Sequence, residues 1–133
     1  MPGPGSPKKL LIVDDERDLV EPLLLRLRAS GAWEVSAAFD GDDGFRKALI
    51  EEPDVALIDL AMPELDGWGL CRRLREHPRT RRTRVVIMTA WTTRDLERRA
   101  RAEGVARVLL KPFDEAVLFE ALGGAGIDIL PKT

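Results

Sequence analysis

The sequence predicts an α/β protein, a doubly wound sandwich of five parallel strands with helices on both faces of the sheet. Two observations carry this reading. Short apolar runs alternate with segments of helical periodicity, and alternation of that kind gives a parallel sheet joined by right-handed crossovers. Four of the runs are continuous rather than alternating: Leu10-Leu11-Ile12-Val13, Val55-Ala56-Leu57-Ile58, Val85-Val86-Ile87-Met88 and Val108-Leu109-Leu110. Strands covered by helices on both faces read in this way. A chain of 133 residues suits one domain.

The elements follow in order. Met1 to Pro7 is rich in Pro and Gly and is expected to be a disordered tail. The first strand covers about 9–13. A helix from about 16 to 29 places Leu19, Val20, Leu23, Leu24 and Leu27 on one stripe. Pro22 is expected to kink that helix or delay its start, and Gly31 ends it. Residues 34–38 form a weaker second strand. Asp40 reads as an N-cap, and Phe45, Ala48, Leu49 and Ile50 supply the next apolar face. The third strand spans 54–58, and a turn at 62–67 leads into a helix over about 68–76. That helix turns Leu70, Cys71 and Leu74 inward. An Arg-rich loop at 78–83 precedes the fourth strand, 84–88. Thr92 or Thr93 caps a helix that buries Leu96 and Ala100 and stops at Gly104. The fifth strand is about 106–110, and Asp114 caps a last helix through Val117, Leu118 and Leu122. Residues 123–133 read as a tail or the start of a linker.

Composition narrows the function classes. No apolar run is long enough to span a membrane, and residues 1–9 lack the apolar stretch of a secretory signal. Cys71 is the one cysteine, so no intrachain disulfide or cysteine metal cluster forms. The cytoplasm is the expected location. His77 is also alone, which excludes multi-histidine zinc sites. It precedes Pro78 at a helix end and reads as a surface cap. Trp33 and Trp68 read as packing residues. Residues 72–107 carry 12 Arg against 4 acidic residues, whereas residues 1–71 carry 7 basic against 15 acidic. No aromatic side chain is interleaved between Arg72 and Arg84 to stack bases. The arginines are therefore read as a solvated face, with no direct contact to nucleic acid.

Each continuous run ends on a polar residue: Asp14-Asp15, Asp59, Thr89 and Lys111-Pro112. In open parallel sheets, ligands sit beyond the carboxyl ends of the strands. Three carboxylates gathered there repel one another. A hard divalent cation relieves that repulsion, and Mg²⁺ favours oxygen ligands that bridge to phosphate. Lys111 supplies a point charge for a phosphoryl oxygen, and Thr89 a hydrogen bond. A carboxylate attacking phosphorus gives an acyl phosphate. Asp59, a single Asp at the tip of a central strand, is the best nucleophile.

On these residues the chain resembles the receiver domain of two-component response regulators. The matching pieces are Leu11-Ile12-Val13-Asp14-Asp15-Glu16, Asp59 through Gly67, Met88-Thr89-Ala90 and Leu110-Lys111-Pro112-Phe113. The resemblance covers about residues 8–122. It implies a flavodoxin-like (βα)5 fold with strand order 2-1-3-4-5. It implies that Asp59 accepts a phosphoryl group from a sensor histidine kinase or a phosphotransfer protein. Asp15, Asp59 and the Ala61 backbone carbonyl would ligate Mg²⁺ directly, and Asp14 through a water. Thr89 and Lys111 would bind the phosphoryl oxygens, and the Lys111–Pro112 bond would be cis. The chain would signal to a downstream protein or an output domain rather than turn over a substrate. A homodimer through the fourth helix, fifth strand and fifth helix is a further implication. That face would carry Arg94, Arg98, Arg101 and Arg107 near Asp95, Glu97, Glu115 and Glu120.

Three positions depart from the family pattern. Val108 stands where receivers often carry Tyr or Phe, three residues before Lys111. A β-branched side chain has few rotamers and cannot swing as a ring does. Activation is then read through the fourth helix and the loop before it, or the coupling of Thr89 to an aromatic is absent. Trp91 stands where a small or polar residue is usual. It either shields an aspartyl phosphate from water or covers the loop or a partner surface. Arg84 replaces a common Pro and adds to the basic face. Two other readings compete. A phosphorylation-independent binding module on the same fold fits Val108 but leaves the intact Asp14, Asp15, Asp59, Thr89 and Lys111 set without a role. A phosphatase of the haloacid dehalogenase type needs Asp-x-Asp after the first strand, which Asp14-Asp15-Glu16-Arg17 does not match.

Overall fold

The computed structural model describes residues 8–61, 67–92 and 94–123. The expected tail at 1–7, most of the turn at 62–66, Thr93 and the segment 124–133 lie outside the described residues. Strands β1 (Lys8–Val13), β2 (Trp33–Ala38), β3 (Val55–Asp59), β4 (Arg84–Thr89) and β5 (Arg107–Leu110) form one sheet. All its pairings are parallel and its order is β2-β1-β3-β4-β5. Between them lie α1 (Arg17–Ala29), α2 (Gly41–Glu51), α3 (Gly67–Glu76) and α4 (Leu96–Ala102), and α5 (Glu115–Gly123) follows β5.

Side chains alternate across each strand, and each parity has its own cover. Leu11, Val13, Ala56, Ile58, Val85, Ile87 and Val108 pack against Ala48, Leu70, Cys71, Leu74, Leu96 and Ala100 of α2, α3 and α4. Leu10, Ile12, Val55, Leu57, Val86, Met88 and Leu109 pack against Val20, Leu27, Leu118, Ala121 and Leu122 of α1 and α5. The double cover explains why the central runs are apolar at every position. Trp68 borders the first layer and Trp33 the second, as packing residues.

Several helix ends match the sequence reading. Asp40 caps α2 by accepting the Asp43 N–H at 2.8 Å, and Asp114 caps α5 by accepting the Val117 N–H at 2.9 Å. Gly31 takes φ +76° beyond α1, a conformation that costs glycine little. His77 lies just beyond α3 and closes the following turn rather than capping the helix: its Nδ1 accepts the Arg79 N–H at 3.1 Å.

Other expectations need correction. Leu19 is not on the buried stripe of α1 and is 54% exposed; Val20 and Leu27 are the buried residues. Ile50 likewise points outward from α2, at 74% exposure. A strict 3.6-residue count assigns a stripe wider than the single sheet face these helices meet. Pro22 does not delay α1, which runs from Arg17. The ring sits on the exposed side of the helix, away from the sheet. Helix α4 starts at Leu96 with Asp95 at its N-cap position, so Thr92 does not cap it. Arg107 is 9% exposed and is not part of a charged outer face. Glu115 is engaged within the chain by Arg26 at 2.8 Å.

The two layers make a contrast that urea denaturation can check. Leu57→Ala, at a fully buried position, lowers stability by about 3 kcal/mol. Leu19→Ala, at an exposed one, changes it by less than about 0.5 kcal/mol. Equal losses at both positions would contradict the layer assignment.

Candidate functional site

The parallel register gathers the polar strand endings on one edge. Val13 pairs with Ile58, Asp59 with Met88, and Thr89 with Leu110. Backbone bonds extend the ladder past the strands. The Asp14 N–H donates to the Ala38 carbonyl at 3.1 Å, and the Lys111 N–H to the Thr89 carbonyl at 2.8 Å. Asp14, Asp59 and Thr89 are buried, and Asp15 is the most open of the three aspartates. Asp14, Asp15 and Asp59 each offer a carboxylate oxygen, and these oxygens lie within 4.8 Å of one another. That acidic cluster can hold a metal ion.

Lys111 reaches into the cluster from β5. Its Nζ lies 3.0 Å from Asp14 Oδ2, 3.5 Å from Asp59 Oδ2 and 3.5 Å from Glu16 Oε1. Burial works against the ammonium charge, but the hydrogen bond and charge of Asp14, then Asp59 and Glu16, outweigh it. The Lys111 pKa therefore stands above the ordinary lysine value. Burial acts the other way on Asp59. Together with the Asp14 charge it raises the Asp59 pKa above the usual carboxylate value, against the Ala61 N–H and Lys111.

The carboxylate oxygens of Asp14 and Asp59 all have neighbours. Asp59 Oδ1 accepts the Ala61 N–H at 3.2 Å. Asp14 Oδ1 accepts the Glu16 N–H at 3.0 Å while Oδ2 faces Lys111. The Thr89 hydroxyl is turned onto its own loop. It accepts the Trp91 N–H at 3.1 Å and donates to the Trp91 carbonyl at 3.2 Å. The Trp91 residue itself is 75% exposed. The Lys111–Pro112 bond is cis. Val108 is buried within the α3 and α4 layer.

Two contributors were not singled out from the sequence. Glu16 joins the Lys111 network; its place directly after Asp14-Asp15 was the available signal. Gly67 opens α3 against the end of β3. A Cβ there would stand 2.5 Å from the Asp59 carbonyl and 2.7 Å from Leu60 Cα, both backbone atoms. Only glycine lets α3 begin this close to the Asp59 turn. The Arg-rich loop lies elsewhere. With Glu52 and Asp54, Arg79, Arg81 and Arg82 line a cleft of about 310 Å³. Arg72 and Arg75 pair with Glu103 at 2.7 and 3.2 Å, and Arg73 with Asp42 at 3.0 Å, so much of the basic face is internally paired.

Comparison with known proteins agrees with this geometry. Residues 10–123 match the family described as the response regulator receiver domain, and the chain belongs to that family. It is 37% identical over 111 residues to the response regulator PleD of Caulobacter vibrioides. That match covers 84% of this chain and 24% of PleD, so the chain spans about a quarter of that relative's length. It is 38% identical over 109 residues to a probable chemotaxis protein CheY of Rhizobium etli, covering 79% of this chain and 81% of that protein. Among solved structures, chemotaxis protein CheY4 of Vibrio cholerae superposes with a TM-score of 0.82 at 28% identity, covering 87% and 96% of the two chains. No helix among the described residues is long and apolar enough to cross a membrane.

The raised Asp59 pKa has a stability consequence. A carboxyl whose folded pKa is raised stabilises the fold below its ordinary value of 3.8, and that contribution is lost as pH rises through the raised value. At neutral pH the ionised Asp59 is therefore a cost to the metal-free protein. Asp59→Asn raises the metal-free melting temperature at pH 7 by about 3 °C, the effect of roughly 1 kcal/mol in a chain of this size. The gain shrinks as the pH falls toward 3.8. A lower melting temperature at pH 7 would contradict the assignment.

Proposed function

We propose that this receiver domain is a phosphorylatable switch whose phosphoacceptor is Asp59. The observation that carries the reading is the cluster itself: three carboxylates within 4.8 Å, with Lys111 Nζ at 3.0 and 3.5 Å from two of them. An Asp59 carboxylate oxygen attacks the phosphorus of a phosphohistidine on a sensor histidine kinase or phosphotransfer protein. The O–P bond forms as the N–P bond breaks, and the electron pair returns to the imidazole nitrogen. The Lys111 ammonium faces the side of Asp59 from which it can also hold a phosphoryl oxygen. The Thr89 hydroxyl can donate to another once it leaves the Trp91 carbonyl.

The donor set fits a hard divalent cation, because all its side-chain ligands are carboxylate oxygens. Asp15 and Asp59, with the Ala61 carbonyl, would hold Mg²⁺ directly. Both oxygens of Asp14 are already engaged by the Glu16 N–H and Lys111, which suits an indirect role through water. When bound, Mg²⁺ supplies positive charge to the carboxylates and a place for a phosphoryl oxygen.

Thr89 links the site to its surface. Its two hydrogen bonds with the Trp91 backbone must open for the hydroxyl to reach a phosphoryl group, which frees the β4–α4 loop to move. A readout of this kind needs no aromatic residue at Val108. The domain controls a downstream partner or an output domain in a longer protein, acts in the cytoplasm and turns over no second substrate. The runner-up, a binding module that is never phosphorylated, rests on Val108 alone.

Intact mass after incubation with Mg²⁺ and acetyl phosphate tests the proposal. The parent gains one phosphoryl group, Asp59→Asn gains none, and chelating the metal abolishes the gain. An unmodified parent under every donor would leave the binding module as the better reading.

A further inference from the structure

The edge of the sheet opposite the carboxylates carries a charged cleft that has no part in the switch. It lies beside the starts of β3 and β4. There the Arg84 N–H donates to the Asp54 carbonyl and the Asp54 N–H to the Lys9 carbonyl, both at 2.9 Å. The five residues of β3 put about 17 Å between this edge and the Asp59 cluster. Arg79, Arg81 and Arg82 line the cleft with Glu52, Asp54 and Pro78, around a volume of about 310 Å³. Among the described residues, none of these three guanidinium groups is in an ion pair, not even with the two carboxylates of the same cleft. Their neighbours Arg72, Arg73 and Arg75 are paired with Glu103 and Asp42.

A run of exposed arginines is ordinarily a solvated face, but the loop that carries these three is tied down. Thr80 is fully buried, and its hydroxyl donates to the Leu74 carbonyl at 2.7 Å. The Thr83 hydroxyl donates to the Pro53 carbonyl at 2.8 Å. The Thr80 and Arg81 N–H groups donate to the His77 carbonyl, and the Thr83 N–H to the Thr80 carbonyl. The ordering that a loose binding loop must undergo on association is therefore already present. The acidic part of the cleft is also unusual. Glu52 ends α2 at φ +48°, a conformation that favours glycine. A carboxylate stands where the backbone alone would favour a residue with no side chain.

The lining defines the ligand. Guanidinium forks grip phosphate oxygens in pairs, and three of them suit more than one phosphate. Glu52 and Asp54 oppose a bare polyanion, yet carboxylates accept hydrogen bonds from ribose hydroxyls. The volume is that of a small-molecule site, and the exposed Pro78 ring adds an apolar surface. We propose that this cleft binds a nucleoside diphosphate, with its phosphates on Arg79, Arg81 and Arg82 and its ribose hydroxyls on Glu52. The ligand sits against the loops that enter β3 and β4, the strands whose other ends carry Asp59 and Thr89. Its binding does not depend on phosphorylation of Asp59.

Isothermal titration calorimetry of the full chain with ADP and with pyrophosphate, in EDTA at low salt, tests this. EDTA removes any metal that could bridge phosphate to Asp14, Asp15 and Asp59. ADP is expected to bind more tightly than pyrophosphate. Arg81→Gln combined with Arg82→Gln weakens ADP binding by at least about tenfold. Both side chains are exposed, so the fold is retained. Glu52→Gly suits the backbone at φ +48°, and it moves the two ligands in opposite directions, weakening ADP and tightening pyrophosphate. No binding of ADP to the parent, or ADP affinity unchanged in the double variant, would overturn the proposal. So would pyrophosphate binding as tightly as ADP, or tightening of both ligands by Glu52→Gly, since either would reduce the cleft to a general attractor of anions.

Discussion

The site depends on the parallel register of the sheet. Because β1, β3, β4 and β5 all run the same way, their carboxyl ends share one edge. Residues far apart in the chain meet there: 97 positions separate Asp14 and Lys111, yet their side chains are 3.0 Å apart. A one-residue slip in any of these pairings would turn the strand's side chains to the other layer and break both cores at once. The fold therefore holds the cluster in place by packing, against its own electrostatics. Three carboxylates are held together, two of them buried, with Lys111 reaching both buried ones. A protein that used this edge only for structure would gain from losing those charges.

Much of this was legible in the sequence, for a physical reason. Strands covered on both faces must be apolar throughout, so the residue that breaks each run marks where the strand leaves the core. That made Asp14, Asp59, Thr89 and Lys111 visible without coordinates. Local capping chemistry was equally readable at Asp40 and Asp114. Helix faces were less so. The apolar count on α1 and α2 included Leu19 and Ile50, because periodicity does not say how much of a helix the sheet can cover. The start of α4 was misplaced because Thr92 and Asp95 are both cap-forming types, and only the loop's path decides between them. Arg107 reads as a surface charge in the sequence, since no composition rule signals a buried arginine. The near contact of Gly67 with the Asp59 carbonyl also depends on the meeting of two segments in space.

The same structure bears on how a signal would leave the site. Val108 is buried in the layer that α3 and α4 cover, as a stiff β-branched side chain in the core. The Thr89 hydroxyl holds the Trp91 backbone, so any pull on that hydroxyl disturbs the loop ahead of α4.

The central claim is that Asp59 itself carries the phosphoryl group. Borohydride reduces an acyl phosphate to an alcohol, which converts the modified aspartate to homoserine in place. Reduction after treatment with acetyl phosphate and Mg²⁺, followed by peptide sequencing in a mass spectrometer, reads the modified position directly. Homoserine at position 59 and nowhere else is the result this account predicts. Homoserine at Asp14 or Asp15, or none in a protein that has gained phosphoryl mass, would contradict it.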